Sequence, residues 1–143
     1  MKTMPSTIAV DFLFRLSAKV SPPIGISDGP QGSRMIVPAA GGSFAGPKLN
    51  GNILSGPGAE WATARPDGSL KADVRLALET DDKTIILMTY NGIAVPKGDS
   101  LTVRIAPLFE VAQGPYAWLN NVQAIGIGTP SKTGIVYDVF QVL

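Results

Sequence analysis

The sequence contains no cysteine and no histidine. The first absence excludes a disulfide scaffold and a thiol nucleophile. Together they exclude Ser-His and Cys-His relays, Cys/His zinc sites and c-type haem attachment. Charge is scarce as well: Asp, Glu, Lys and Arg make up 16% of the chain, below the usual quarter, and twelve cations against eleven acids leave a net charge of +1. Without a global field to gather nucleic acid or an anionic membrane, neither is expected as a partner, and partners are sought at a local site. Long hydrophobic runs are missing too. No window approaches eighteen uncharged apolar residues, and Asp11 and Arg15 interrupt the apolar start of Met1 to Val20. Neither a membrane helix nor a signal peptide is expected, which makes the cytoplasm the expected location.

What is present is a chain of 143 residues and 14.9 kDa, the size of one domain spanning residues 1–143. Its apolar fraction of 45% and mean hydropathy of +0.20 predict a large core or a buried subunit interface, and a homo-oligomer is expected. Any chemistry must run on carboxylates, Lys, Arg, Tyr, hydroxyls and amides.

Glycine and proline punctuate the chain unevenly, and residues 22 to 58 are the richest in both. That third reads as irregular or as short bent strands, with Ser33 to Pro38 and Lys48 to Leu54 the best candidates. Beyond it, apolar and polar residues alternate between recurrent turn signals. Strands are predicted over Glu60 to Arg65, Leu70 to Glu79, Thr84 to Ile93, Leu101 to Glu110, Tyr116 to Ile127 and Ile135 to Val142. Thr7 to Lys19 has strand parity as well, and no stretch supports a helix of normal length. Eight or nine antiparallel strands in up-and-down order predict an all-β sandwich or closed barrel, closure having the advantage of removing exposed sheet edges.

The strand from 70 to 79 carries Leu70, Ala72, Val74, Leu76 and Leu78 on one face and Lys71, Asp73, Arg75, Ala77 and Glu79 on the other. Parity alone favours water for the polar face. Its neighbours, with Arg104 and Glu110 on one strand and Tyr116, Trp118 and Asn120 on the next, mix aromatic, amide and charged groups in a way that suits a pocket. The expectation is therefore that the polar set lines a barrel lumen.

The run Ile36-Val37-Pro38, then Gly41-Gly42-Ser43-Phe44-Ala45-Gly46-Pro47, Glu60-Trp61, Arg65-Pro66-Asp67-Gly68, Asp73-Val74-Arg75, Thr80-Asp81-Asp82, Pro107-Leu108-Phe109-Glu110 and Tyr116-Ala117-Trp118-Leu119-Asn120 resembles the DUF3237 (UPF0311) family. The resemblance covers nearly the whole chain in order. It implies a single-domain antiparallel β-barrel similar to the allene oxide cyclase type, often assembled as an oligomer. Three positions depart from the family pattern: Glu60 stands where Asp is expected before Trp61, Leu76 where an aromatic is expected after Arg75, and Val111 where Thr is expected after Glu110. If these positions line the cavity, the ligand differs from that of typical relatives.

Asp73 and Glu110 are the candidate proton carriers, with Arg75 and Arg104 as candidate stabilisers of negative charge. The competing reading for each is a surface ion pair or plain exposure. Trp61, Tyr116, Trp118 and Asn120 are candidate substrate contacts, although strand aromatics are more often core, and Arg34 is a weaker anchor. The glycines lack a phosphate-loop pattern, and no loop offers three spaced oxygens for a cation, so no metal and no cofactor are expected. The favoured function is a cofactor-independent acid-base enzyme, a lyase, hydratase, isomerase or cyclase. Its substrate would be a small organic, carbonyl-containing or aromatic molecule held in the barrel. The alternative is a non-catalytic small-molecule binding barrel. The acid-base mechanism requires Asp73, Arg75, Arg104 and Glu110 to share an enclosed hollow.

Overall fold

The computed structural model describes residues 3–143. Its strands are β1 (Val10–Val20), β2 (Ile24–Gly29), β3 (Gly32–Ala45), β4 (Asn50–Ile53), β5 (Ala59–Ala64), β6 (Leu70–Thr80), β7 (Ile85–Lys97), β8 (Ser100–Ile105), β9 (Leu108–Val111), β10 (Ala124–Pro130) and β11 (Gly134–Val142). The ring β1-β3-β5-β6-β7-β8-β10-β11 closes when β11 pairs with β1, every step antiparallel and in chain order. The result is an up-and-down barrel, the closed one of the two architectures that the alternation allows and the one that the family resemblance implies, with β2, β4 and β9 added to its wall. Closure gives each ring strand two hydrogen-bonded neighbours.

The proline- and glycine-rich third is more regular than expected: the short strand predicted over Ser33 to Pro38 runs on through Gly41 and Gly42 to Ala45 as β3, the longest strand among the described residues. Pro22 and Pro23 lie between β1 and β2, which pair with successive stretches of β3. Where the register between β1 and β3 slips, Gly41 and Gly42 adopt φ of 115° and 134°. A Cβ on Gly42 would stand 2.0 Å from the Ser17 carbonyl oxygen, so only glycine fits there.

Side-chain size falls from one end of the barrel to the other. Phe14 packs on Phe44 and Phe109 with ring centroids 5.6 Å and 5.9 Å apart, and Leu78, Ile86, Met88 and Leu119 are buried with them. A short 3-10 helix, Ala117–Asn121, covers this end and contributes Leu119. Toward the other end the same strands carry Ala18, Ala39, Ala72 and Ala94. Large residues fill the lower half, and alanines leave the upper half hollow.

Two predicted strands are divided. Leu101 to Glu110 breaks at Ala106-Pro107, giving β8 against residues 92–97 of β7 and β9 against residues 86–89. Proline has no N–H to continue the ladder. Tyr116 to Ile127 is helical in its first half. There the Asn120 side chain accepts from the Val111 N–H at 2.8 Å and donates to the Val111 carbonyl at 2.9 Å, clamping the 3-10 turn to β9. The predicted common strand face of Tyr116, Trp118 and Asn120 does not exist.

Candidate functional site

The inward parity is the apolar one. On β6, Ala72, Val74, Leu76 and Leu78 are buried, whereas Lys71, Asp73 and Arg75 are exposed. Arg104 on β8 and Glu110 on β9 are exposed as well. Asp73, Arg75, Arg104 and Glu110 therefore do not meet in an enclosed hollow, and that expectation is corrected. The physical reason is the ordinary one: in a barrel this narrow the apolar parity fills the interior, and charges stay in water.

The outer wall has its own order. Cross-strand pairing sets Lys71 beside Ile93, Ile93 beside Arg104, Arg104 beside Ile127, Ile127 beside Asp138 and Asp138 beside Arg15. Arg104 therefore stands between two isoleucines on the outside of the molecule. Arg15 grips Asp138 with both ends of its guanidinium, at 2.7 Å and 3.1 Å, which holds the Asp138 carboxyl below the usual range.

The remaining predicted contacts are scattered. Trp61 is 42% exposed and lies on the outer face of β5, where it pairs with Ile36. Arg34, opposite Thr63, belongs to that same outer face. Tyr116 and Trp118 pack against the closed end of the core, with the Lys48 ammonium 5.1 Å from the Trp118 ring centre. Asn120 is occupied by Val111. None of these groups lines the barrel cavity.

That cavity, about 190 Å³, occupies the hollow upper half. Its walls are almost entirely aliphatic, drawn from Ala18, Ala39, Ala72, Ala94, Val74 and their neighbours, and its polar side chains are Glu60, Tyr90 and Tyr137. Register explains why these three point inward together. Val74 pairs with Glu60 on one side and Tyr90 on the other, so all three share one inward row. Tyr137, on β11, pairs with Leu16 and with Gly128. A Cβ on Gly128 would lie 2.6 Å from a ring carbon of Tyr137, so this glycine makes the space that the phenol occupies.

The two phenol rings meet edge to face with centroids 5.5 Å apart. Burial, first of all, pushes both hydroxyls up in pKa, Tyr90 well above its ordinary value and Tyr137 to about 12. Each phenol also acts on the other across this contact, raising Tyr90 and lowering Tyr137. Glu60 is raised by desolvation, and its charge in turn raises both phenols. A carboxyl poised above the usual range faces a hydroxyl pair inside an apolar shell, an arrangement able to move a proton and to hold a developing oxyanion.

Of the three departures from the family pattern, Glu60 and Leu76 line the cavity and Val111 does not. The sequence signal for Glu60 was its place on the same strand parity as buried Ala62, with two tyrosines on the apolar parity of β7 and β11. Fold and site together define a single-domain up-and-down β-barrel, closed by a phenylalanine plug at one end and holding a small apolar hollow with one carboxyl. The chain belongs to the family described as protein of unknown function DUF3237, whose model matches residues 8–142.

A UPF0311 protein of Rhodopseudomonas palustris is 25% identical over 154 residues, covering 98% of this chain and 100% of that protein. Its crystal structure superposes with a TM-score of 0.89 over 97% of this chain and 100% of that one, at 24% identity. A β-barrel-like protein of Acinetobacter baumannii gives 0.88 at 26% identity over 99% and 100% of the two chains. A hydroalkoxylation enzyme of Penicillium herquei is 29% identical over 122 residues, covering 85% of this chain and 75% of that enzyme. The crystal structure of an enzyme from that fungus gives a TM-score of 0.77 at 25% identity, covering 100% of both chains. The chain thus has a distant relative that is an enzyme.

Proposed function

We propose that the protein is a cofactor-independent acid-base enzyme acting on a small carbonyl-containing or aromatic molecule in the barrel cavity. One observation carries this reading: Glu60, the only carboxyl of the cavity among the described residues, is desolvated and raised while sharing the lining with Tyr90 and Tyr137. Desolvation makes an ionised carboxylate a stronger base and a protonated one available at higher pH. Glu60 takes a proton from a substrate O–H or C–H and returns it to another atom of the substrate. A hydroxyl of the Tyr90–Tyr137 pair donates to the oxygen on which negative charge develops.

The sequence shows no net electron transfer and therefore calls for no oxidant or reductant. Additions of O–H across C=C, ring closures and double-bond shifts all fit it, and a hydroalkoxylation enzyme among the relatives supports this range. Assisted proton transfer of this kind contributes roughly 10²–10⁴-fold, enough for substrates already activated by a carbonyl or an arene.

The test is hydrogen–deuterium exchange at the acidic carbons of 2-cyclohexen-1-one in D₂O, followed by NMR with and without the protein. Acceleration that disappears in Glu60→Gln supports the enzyme. No acceleration from the native protein, combined with saturable binding of the ketone, would favour a barrel that only holds its ligand.

A further inference from the structure

We infer that the cavity selects a neutral molecule about one ring across, that the hydroxyl pair of Tyr90 and Tyr137 receives its acceptor oxygen, and that carboxylates, phosphates and amines are refused. The inference rests on the cavity being the reaction site and adds the substrate's charge, size and orientation.

Charge comes first. Among the described residues no lysine or arginine lines the hollow, and Glu60 is its only carboxyl. An anionic substrate would be stripped of water among alanines and valines, with a carboxylate rather than a counter-cation to meet it. An ammonium would find one partner, Glu60, whose own ionisation is disfavoured by the same burial. Pairing two ions in an apolar hollow leaves both desolvation penalties largely uncompensated.

Orientation follows from the hydroxyl pair. Tyr90 and Tyr137 both line the hollow with ring centroids 5.5 Å apart, so their two hydroxyls are the neutral donors offered to a ligand. Tyr137 and Glu60 both line the hollow, while its rim is formed by partly exposed Leu70, Leu101 and Ile135. A molecule entering oxygen-first past this rim sets its oxygen against the hydroxyl pair.

Size is set by the alanines. A hollow of about 190 Å³ compares with the ~150 Å³ that holds one benzene in a dry protein cavity. Ala18, Ala39, Ala72 and Ala94 stand on four different strands, so enlarging any one of them narrows the hollow from its wall. Larger molecules fit only by leaving part of themselves outside the rim.

Calorimetry on the full chain at pH 7 tests this with 2-cyclohexen-1-one, methylenecyclohexane, benzoate and cyclohexylamine. The enone is expected to bind best, with methylenecyclohexane weaker by roughly two- to tenfold for want of one hydrogen bond. Benzoate and cyclohexylamine are expected to bind at least about 100-fold more weakly than the enone, the scale set by a charge buried without compensation. In Tyr90→Phe/Tyr137→Phe the gap between the enone and the hydrocarbon should close, and Ala72→Leu or Ala94→Leu should abolish binding of both with the far-ultraviolet circular dichroism unchanged. Benzoate or cyclohexylamine binding as well as the enone overturns the inference, as does a gap that survives in the double variant. Catalysis retained in Glu60→Gln would instead sink the acid-base reading and leave the selectivity standing.

Discussion

Glu60 and Tyr90 never touch in sequence or in sheet pairing, yet both are hydrogen-bond-register neighbours of Val74, one on each side of β6. Two strand spacings put their backbones about 10 Å apart. Both side chains point inward, leaving a gap between carboxyl and phenol that a small molecule can occupy. Ordinary pairing of three adjacent strands thus builds the polar part of the cavity.

Glu60→Gln should reduce any proton-transfer activity by roughly 10²–10⁴-fold while leaving ligand binding within a small factor of native. The pH dependence has a definite sign. Because the folded carboxyl is raised above its unfolded value, it favours the folded state below the unfolded pKa, and this contribution is lost as pH rises through the folded pKa. Chemical denaturation should therefore show a decline in stability across that interval that Glu60→Gln lacks. With Glu60 acting as base, kcat/KM should rise through an apparent pKa above the usual Glu value.

The phenols can be watched directly by absorbance near 295 nm during alkaline titration. Tyr137 should ionise at about 12, and Tyr90 later. Removing the Tyr90 hydroxyl in Tyr90→Phe takes away the neighbour that favours the Tyr137 phenolate, so the Tyr137 step should move still higher. Both raised groups favour the folded state below their unfolded pKa values, and that contribution is lost on the way to the folded ones, placing the loss in strongly alkaline solution. A Tyr137 step that stays put in Tyr90→Phe would show that the two hydroxyls do not act on each other.

Asp73→Asn, Arg75→Gln and Glu110→Gln should leave ligand binding and turnover essentially native, since all three groups are exposed outside the barrel. Stability should change by no more than about 0.5 kcal/mol, the range of surface substitutions away from special features. A hundredfold loss of turnover in any of them would return catalysis to the outer wall.

These residues show how much the sequence disclosed. Period-2 alternation and turn residues were enough for an antiparallel all-β fold, which they mark strand by strand, but a sandwich obeys them as well as a barrel, and the barrel followed from the family resemblance. Parity could pair Asp73 with Arg75 on one face but could not say which face was inside, and that depends on packing around the whole ring. Tyr116, Trp118 and Asn120 read as strand because their alternation was intact. The Asn120 clamp on Val111 and the burial of Leu119 decided the local conformation instead. Glu60 stood out only as a departure from the family pattern. Its meeting with Tyr90 and Tyr137 depends on strands distant in sequence.

The phenylalanine plug and the glycine beside Tyr137 should separate stability from site geometry. Phe14 is fully buried against Phe44 and Phe109, so Phe14→Ala should cost about 3–5 kcal/mol through lost contacts and an unfilled cavity, read from denaturant midpoints. Gly128→Ala works differently, because its new methyl would meet the Tyr137 ring rather than leave a hole. The expected cost is about 1–3 kcal/mol of overpacking, or less if the ring swings into the hollow. In either case Tyr137 leaves its place opposite the ligand, so binding of 2-cyclohexen-1-one should weaken more than the stability loss accounts for. Phe14→Ala, studied under conditions where it remains folded, should bind the ketone normally. Equal effects of the two substitutions on binding would mean that the plug and the hollow are one mechanical unit and that Gly128 has no special relation to Tyr137.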